Sequence, residues 1–240
     1  MVFSDASLGQ GILQQARSLA RVDSVMWPTA KVVASCNNYL DTLTGFLIAS
    51  DKRFQWDDTN HTALPEGTTD LVLNQSDYSF LTDQQGNTIL TLTGITLVTS
   101  AGVETRLELT DRNSENYDKA NYGVTTGIPT QYDKIADNII RLNYKPNATA
   151  VAGYDLKFYF QRTPSYFAAT DTTKAPGVAP ILHRGFVIAA AYDCALTLGL
   201  ANLNNLALEM QREEIKRDNY FKGRDNDERS QLVANVESMK

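Results

Sequence analysis

The chain has few of the residues from which metal sites and many active sites are built. It contains only two histidines and two cysteines in 240 residues. The histidines, His61 and His183, are far apart and near no cysteine, whereas a structural zinc site needs clustered ligands. We therefore predict no metal site. Cys36 and Cys194 have apolar neighbours, which favours buried free thiols in a reducing compartment over a disulfide.

Recognisable catalytic motifs are also missing. The sequence has no phosphate-binding glycine loop, no G-x-S-x-G elbow and no H-E-x-x-H pair. His183 falls in the first turn of an apolar helix and His61 in a polar loop, so neither is expected to act as a base. The adjacent carboxylates Asp57 and Asp58 would point to opposite sides of a strand. We predict no catalytic residues, no cofactor-binding residues and no enzyme activity.

Basic residues are absent from a long central stretch. Between Phe54 and Thr105 there is no lysine or arginine, while seven acidic residues occur there and the whole chain has a net charge of -6. A negative surface repels phosphate. The sequence therefore argues against nucleic-acid binding as the main role and predicts an acidic face on this part of the molecule.

No export or membrane segment is expected. Asp5 interrupts the opening stretch, where a secretory signal needs basic and then apolar residues. The apolar stretch from Gly185 to Leu203 is about long enough to span a bilayer. It carries Asp193 near its middle, and an unpaired carboxylate is costly in lipid. We predict a buried helix here and no membrane partner.

Hydrophobic spacing predicts helices at both ends of the chain and strands in the middle. Leu8, Ile12 and Leu13 begin one apolar helical stripe, and a second helix is predicted from Pro28 to about Ser50. After Arg53 the pattern changes to short alternating runs, as is typical of antiparallel sheets. The strand candidates are FQWDD, DLVLN, DYSFL, TILTLTGITLV, ETRLELT, NIIRLNY and YDLKFYFQR.

A proline-marked connector leads to two further helices. Pro180 opens the most apolar helix, and a charged helix, ALEMQREEIKRDNYF, follows with Glu213 spaced to pair Arg217. The sequence leaves open whether these two form one continuous helix. After Gly223 few large apolar residues remain, which predicts a tail that is mobile in the free protein. The tail is either a disordered end or a segment that becomes ordered on a partner, with Leu232, Val233 and Val236 as anchors.

These patterns together predict an α+β fold. The N- and C-terminal helices would form a bundle, with an antiparallel β-sandwich or barrel-like domain inserted between them and an extended C-terminal tail. The predicted parts are N-terminal helices over 1–52, the β-insert with its connector over 53–179, C-terminal helices over 180–223 and the tail over 224–240.

One mid-chain stretch, GVTTGIPTQYD, fits neither a helix nor a strand. Glycine allows backbone angles that other residues resist, and proline fixes φ. We therefore predict a structural turn in which Gly127 and Pro129 hold an unusual backbone connection. Tyr132 would start the returning strand.

The ordered succession from Tyr117 to Pro164 resembles the head-to-tail adaptor proteins of tailed bacteriophages. That family has a G-x-P-x-x-Y turn, an apolar strand, a proline-bearing turn and a tyrosine-rich strand that runs into a proline. A proline before a long alanine-rich helix and a charged helix then follow, and the likeness extends from about the second helix to Gly223. The matching residues are Gly127, Pro129, Tyr132, Ile139, Ile140, Leu142, Pro146, Tyr154, Tyr159, Pro164 and Pro180.

The resemblance implies a structural protein of the virion neck, assembled in the host cytoplasm. Such adaptors form a ring, twelve-fold in the family, between the portal protein and the tail or nozzle proteins, and DNA only passes through the channel. They dock on the portal with a C-terminal extension, which maps onto residues 224–240. The residues implied in docking are Arg224, Arg229, Leu232, Val233 and Val236.

Two alternatives stay open at this level. The chain could be another tail component, such as a tail-completion or tail-tube protein, which would also form rings. It could instead be a β-domain that binds or hydrolyses cell walls. The second alternative predicts that Asp57, Asp58 or Glu66 lies in a cleft beside Trp56.

Overall fold

The computed structural model describes residues 1–50, 65–83, 86–110 and 122–229. The α+β class predicted from the sequence is confirmed. The chain divides into two compact units, which we call the helical unit (Met1–Phe54 with Ser165–Lys240) and the β unit (Gln55–Pro164). The sequence pattern grouped the connector up to residue 179 with the β-insert, whereas this division places it in the helical unit from Ser165 onward.

Helices occupy both ends of the described chain, and strands occupy most of its middle. In chain order the elements are α1 (Ile12–Ala20), α2 (Thr29–Ser50), β1 (Glu66–Asp70), β2 (Asp77–Ser79), β3 (Ile89–Thr99), β4 (Glu104–Arg106), β5 (Glu108–Leu109), β6 (Thr126–Gly127), β7 (Gln131–Ala136), β8 (Ile139–Leu142), β9 (Lys145–Pro146), α3 (Ala148–Gly153), β10 (Tyr154–Arg162), a 3-10 turn (Pro180–Leu182), α4 (His183–Leu198) and α5 (Leu203–Arg229).

In the helical unit, α4 packs against α1, α2 and α5. Its side chains Phe186, Val187 and Ile188 are fully buried, because a helix that is apolar on all sides needs neighbours on all sides. Gly185 allows α2 to approach closely, since a Cβ there would lie 2.2 Å from the hydroxyl oxygen of Tyr39. Gly199, with φ of 64°, ends α4 in the left-handed region, so α4 and α5 are separate helices.

By length and composition alone, one described helical stretch, Pro180–Leu198, could cross a membrane. Within it, 61% of the apolar window is buried inside the protein, as the sequence predicted for a core helix. Cys36 on α2 and Cys194 on α4 are both buried free thiols, which agrees with their interpretation as small core residues.

Two hydrogen-bonded anchors on α2 hold the start of the connector. The side-chain amide of Asn37 donates to the backbone oxygen of Phe167 at 3.0 Å and accepts from its backbone N–H at 2.9 Å. One residue earlier, the Tyr166 hydroxyl donates to the Asp41 carboxylate at 2.5 Å. The ring of Phe167 stacks on Phe3 with centroids 5.0 Å apart. The connector is therefore fixed by specific polar and aromatic contacts.

The β unit contains two four-stranded sheets and one two-stranded pair. The first sheet has the strand order β1-β10-β3-β4 and the second the order β2-β8-β7-β5. Every pairing in the first sheet is antiparallel. The pairs β5–β7 and β6–β9 are parallel, a departure from the all-antiparallel arrangement that the short runs predicted.

Both sheets contribute to one hydrophobic cluster. Alternate residues of β10, Leu156, Phe158 and Phe160, belong to it, as the period of two along a strand requires. Ile140 and Leu142 of β8 join it from the second sheet and are fully buried. The rings of Phe80 and Phe158 lie 4.1 Å apart between centroids. The inward faces of the two sheets therefore share a core.

Several element predictions need correction. The run DLVLN was expected to be a strand, but the strand lies earlier, at Glu66–Asp70, because the backbone of β10 pairs with it despite its polar side chains. Leu8 precedes the first helix and is exposed. The last helix continues to Arg229, so residues 224–229 are not an extended tail. The predicted strand FQWDD lies outside the described residues.

Candidate interaction sites

The predicted portal-docking residues fall at the end of α5 and beyond it. Arg224 and Arg229 belong to the last two turns of this helix. Leu232, Val233 and Val236 lie outside the described residues. The helix therefore extends into the segment that the family resemblance implies in docking.

An aromatic contact anchors α5 to α2 just before that segment. Phe221 is buried, and its ring centroid lies 5.5 Å from that of Phe46. The guanidinium of Arg217, one turn earlier, lies 4.5 Å over the Phe46 ring and also pairs with Asp218 at 3.0 Å. The predicted pair between Glu213 and Arg217 is wrong, because Glu213 instead pairs with Lys216 at 3.3 Å.

The turn around Gly127 has a different construction from the one predicted. Gly127 pairs with Pro146 across the parallel β6–β9 bridge, and its φ is not among the positive values, whereas Gly123 has φ of 70°. A Cβ on Gly127 would lie 3.3 Å from Cγ of Tyr144, so close ring packing explains this glycine better than an unusual φ. Pro129 is buried beside it.

Asn143 holds the chain where it returns into β7. Its Oδ1 accepts the backbone N–H groups of Thr130 at 3.0 Å and Gln131 at 3.1 Å, and its Nδ2 donates to the Thr130 hydroxyl at 3.0 Å. Tyr132, the next residue of β7, enters the hydrophobic core and is 7% exposed. Sequence reasoning missed Asn143, although a buried asparagine beside a turn is a typical signal of such bonding.

The acidic stretch is largely neutralised in the folded β unit. Of its five described acidic residues, four are paired with basic residues that lie later in the sequence. Asp77 binds Arg141 through two oxygens at 2.7 and 2.8 Å. The other pairs are Glu66 with Lys157 at 3.0 Å, Glu104 with Lys157 at 2.7 Å and Asp83 with Arg162 at 3.2 Å. The absence of basic residues from the stretch therefore does not produce an equally acidic surface.

Lys157 is the centre of the largest of these networks. It lies between Glu66 and Glu104, and the Tyr159 hydroxyl donates to Glu104 at 2.7 Å. The hydrogen bond between Lys157 and Glu104 is the main cause of two pKa shifts: it lowers the pKa of Glu104 and raises the pKa of Lys157. Since these residues come from β1, β4 and β10, the network joins three strands of one sheet.

A cleft in the β unit lies between the β1 and β2 edges. It has a volume of about 450 Å³, and its lining includes Glu66, Asp83, Phe158 and Phe160. The cell-wall alternative requires a carboxylate that is free to react, but Glu66 is paired with Lys157 and Asp83 with Arg162. Asp57, Asp58 and Trp56 lie outside the described residues. The described part of the cleft gives no support to that alternative.

The two cysteines and the one described histidine are enclosed by other groups. Burial raises the pKa of the Cys36 thiol to about 12 and also raises that of Cys194. His183 is buried, with Nε2 2.9 Å from the backbone oxygen of Val178 and Nδ1 3.0 Å from the Met1 nitrogen. Among the described residues no group of three or more His, Cys, Asp or Glu side chains is placed to hold a metal ion. His61 lies outside these residues.

Comparison with protein-family models gives no match, and no curated protein matches the sequence.

Proposed function

We propose that the protein is a structural subunit of a tailed-bacteriophage virion, a head-to-tail adaptor that forms a ring between the portal and the tail. The observation that carries this proposal is the ordered resemblance from Gly127 to Pro180, taken together with the division of the chain. The helical unit is formed by the two ends of the chain, and the β unit lies between them in the sequence. This is the order of parts that the resemblance implies.

The finer architecture belongs to the same proposal. The helical unit would be a bundle in which α4 is the central helix, supported by its packing against α1, α2 and α5. The β unit would be a sandwich, supported by the core that both four-stranded sheets share. Neither unit would need a cofactor or a catalytic group, because an adaptor acts through fit between surfaces.

Exposed apolar side chains on the helical unit support contacts between copies. Val25 is 83% exposed and the adjacent Met26 51%. Leu208 and Ile215, seven residues apart on α5, are 55% and 61% exposed, and such spacing places them on the same face of the helix. A ring contact would bury these groups, and a heterologous contact that closes on itself would set the copy number, twelve if the family is followed.

The portal would be bound by the segment from residue 224 onward, which starts just after the Phe221 anchor. Leu232, Val233 and Val236 would be the apolar anchors, with Arg224 and Arg229 meeting acidic groups of the portal. Tail or nozzle proteins would bind elsewhere on the ring, and DNA would only pass through its channel. The protein would act in the virion neck after assembly in the host cytoplasm, without membrane contact.

The test combines size-exclusion chromatography and light scattering on the chain alone and with the portal protein of the same phage. We expect a monomer alone at micromolar concentration and a ring of about twelve copies on the portal. Self-assembly into long stacks without the portal would contradict the adaptor proposal and favour a tail-tube protein. Failure to bind the portal at all would also contradict it.

Point variants test the docking segment itself. Leu232→Asp with Val236→Asp places charge on the proposed anchors, and we expect portal binding to be lost. The matched control, Gln231→Asp with Asn235→Asp, adds the same charge at neighbouring polar positions and should keep most of the binding. Equal binding by both double variants would show that these anchors are not used.

A further inference from the structure

The helical unit contains a cavity of about 380 Å³ between α2, α4 and α5. The residues that matter for its chemistry are Ser35 and Tyr39 of α2, Tyr192 and Asp193 of α4, and Met210 and Glu214 of α5. This volume lies within the range typical of ligand pockets. Aromatic, thioether, hydroxyl and carboxylate groups therefore line one common space.

The cavity is negatively charged and carries no internal counter-charge. Asp193 and Glu214 line it, and no lysine or arginine does. Within the described ranges of the chain neither carboxylate forms an ion pair. The next two basic residues on α5 pair with other acids, Lys216 with Glu213 and Arg217 with Asp218, and of these two bases only Arg217 acts through its charge on Tyr39 in the lining. The two carboxylates are therefore available to a cation from outside the unit.

Two buried hydroxyls in the same lining also lack partners. Ser35 and Tyr39 are each 6% exposed, and neither hydroxyl has a hydrogen bond to any described residue. Burial raises the pKa of Tyr39 to about 12, so its phenol is neutral at neutral pH and can accept a hydrogen bond. Both residues line the cavity, so their hydroxyl oxygens are acceptors for an occupant that donates N–H groups.

We propose that this cavity is a binding site for the guanidinium group of an arginine side chain presented by a partner chain. A guanidinium is planar, offers five N–H donors and stacks on aromatic rings, which suits two carboxylates, two free hydroxyls and the neighbouring tyrosine rings. A lysine ammonium offers three donors and no planar face. A metal ion is disfavoured because no described group of three ligating side chains surrounds the cavity. The site does not depend on the adaptor proposal.

The experiment is a binding titration of the whole protein with N-acetyl-arginine amide, followed by NMR. The matched probes are N-acetyl-citrulline amide, which has a similar shape without the charge, and N-acetyl-lysine amide. We expect the arginine probe to shift signals of residues around Asp193 and Glu214, and both matched probes to bind at least about tenfold more weakly, the loss expected for one charge-assisted hydrogen bond.

Variants locate the binding. Asp193→Asn with Glu214→Gln should weaken the arginine probe at least about tenfold, for the same reason. Glu209→Gln, on the same helix but engaged with Arg212 outside the cavity, should leave binding unchanged. Tyr39→Phe and Ser35→Ala keep the shape of the lining, so they test the site even if the double variant does not fold. We expect each of them to weaken binding a few-fold.

Three results would overturn the proposal: no response to the arginine probe, equal responses to arginine and citrulline, or unchanged binding in the double variant and in both hydroxyl variants. A separate arm identifies the source of the arginine. Self-association that the probe competes away assigns it to a second copy of this chain. Probe binding without self-association assigns it to another protein, and both results support the site.

Discussion

The two units differ in how they arrange charge. In α5 the described ion pairs join near neighbours: Glu209 with Arg212 and Glu213 with Lys216 lie three residues apart, and Arg217 pairs with the adjacent Asp218. In the β unit, Glu104 pairs with a lysine 53 residues away and Asp77 with an arginine 64 residues away. Helices bring residues three or four apart together, whereas sheets bring together strands from distant parts of the chain.

This difference shows where a charge count along the sequence can be used. On α5 the local balance of acidic and basic residues describes the surface well, because partners lie within one turn. In the β unit a stretch without lysine or arginine is neutralised by β8 and β10. Two carboxylates without an ion pair, Asp193 and Glu214, lie in a cavity of the helical unit.

The largest expected effect on stability comes from breaking the buried ion pair between Asp83 and Arg162 in the β unit. Asp83→Ala should lower the free energy of unfolding by about 3–5 kcal/mol, because Arg162 would keep a buried charge without its partner. Their side chains are only 3% and 9% exposed, and Asp83 also accepts two bonds from Asn87. Urea denaturation with hydrogen exchange resolved by peptide would place the loss in the β unit.

The control for this variant is Asp137→Asn, which breaks the pair with Lys134. Asp137 is 84% exposed, so we expect the free energy of unfolding to fall by less than about 1 kcal/mol. Comparable losses for Asp83→Ala and Asp137→Asn would mean that burial does not decide the strength of these pairs.

A smaller effect is expected from close packing in the helical unit. Gly185→Ala should destabilise it by about 1–3 kcal/mol, because the new Cβ would lie 2.2 Å from the Tyr39 hydroxyl and 2.7 Å from Cζ. Gly45→Ala, on α2 with nothing within 4 Å, should instead stabilise the unit by about 0.5–1 kcal/mol. Thermal unfolding followed by circular dichroism measures both, and shifts of the same sign would contradict the packing explanation.

Next in size is the exposed pair of the β unit. Arg141→Lys removes the two-point contact with Asp77, and we expect a loss of about 0.2–1 kcal/mol near pH 7, since both side chains are more than 40% exposed. Hydrogen bonding to Arg141 lowers the pKa of Asp77 below its ordinary 3.8. A lowered carboxylate pKa stabilises the fold above pH 3.8, and this contribution is lost as the pH falls through the folded pKa.

Urea denaturation at a series of pH values checks this. The difference between the parent protein and Arg141→Lys should shrink as the pH falls below 3.8. A difference that stays constant down to about pH 2 would show that the arginine acts through packing and not through the Asp77 charge.

The smallest effect is expected at Asp70, the one described acid of the stretch without an ion pair. Asp70→Asn should change the free energy of unfolding by less than about 0.5 kcal/mol. The same urea experiment measures it, and a loss as large as that of Arg141→Lys would reveal a role for Asp70 beyond an exposed charge.

The sequence was informative where local pattern decides structure. The proline at Pro28 and the stripe after it predicted α2 to within one residue of Thr29–Ser50, and the run YDLKFYFQR coincides with β10. A strand starting at Tyr132 was predicted, but β7 was not identified as an apolar run, because Asp133 and Lys134 interrupt its alternation. That strand is held by its hairpin with β8 and by the side chain of Asn143, and an alternating apolar pattern reveals neither contact.

The cavity could not be predicted for a related reason. Ser35, Asp193 and Glu214 each look like ordinary helical polar residues, and only the packing of three helices brings them together. Leu232, Val233 and Val236 were proposed as anchors from the composition of the tail, their role in portal docking came from the family resemblance, and the docking residues stay a prediction. The ion pairs of the acidic stretch were missed because their basic partners all lie after residue 140.

The Asn37 anchor has a mechanical consequence. A pull on the β unit would reach the helical unit at Ser165 through the covalent chain, and within two residues it would load the Tyr166–Asp41 and Phe167–Asn37 hydrogen bonds. Both anchors are on α2, four residues apart, and the buried Phe167 ring also lies edge-on to Phe186 of α4 at 6.1 Å. The start of the connector would therefore transmit a pull directly into the interior of the helical unit, where hydrogen bonds and ring packing resist it together.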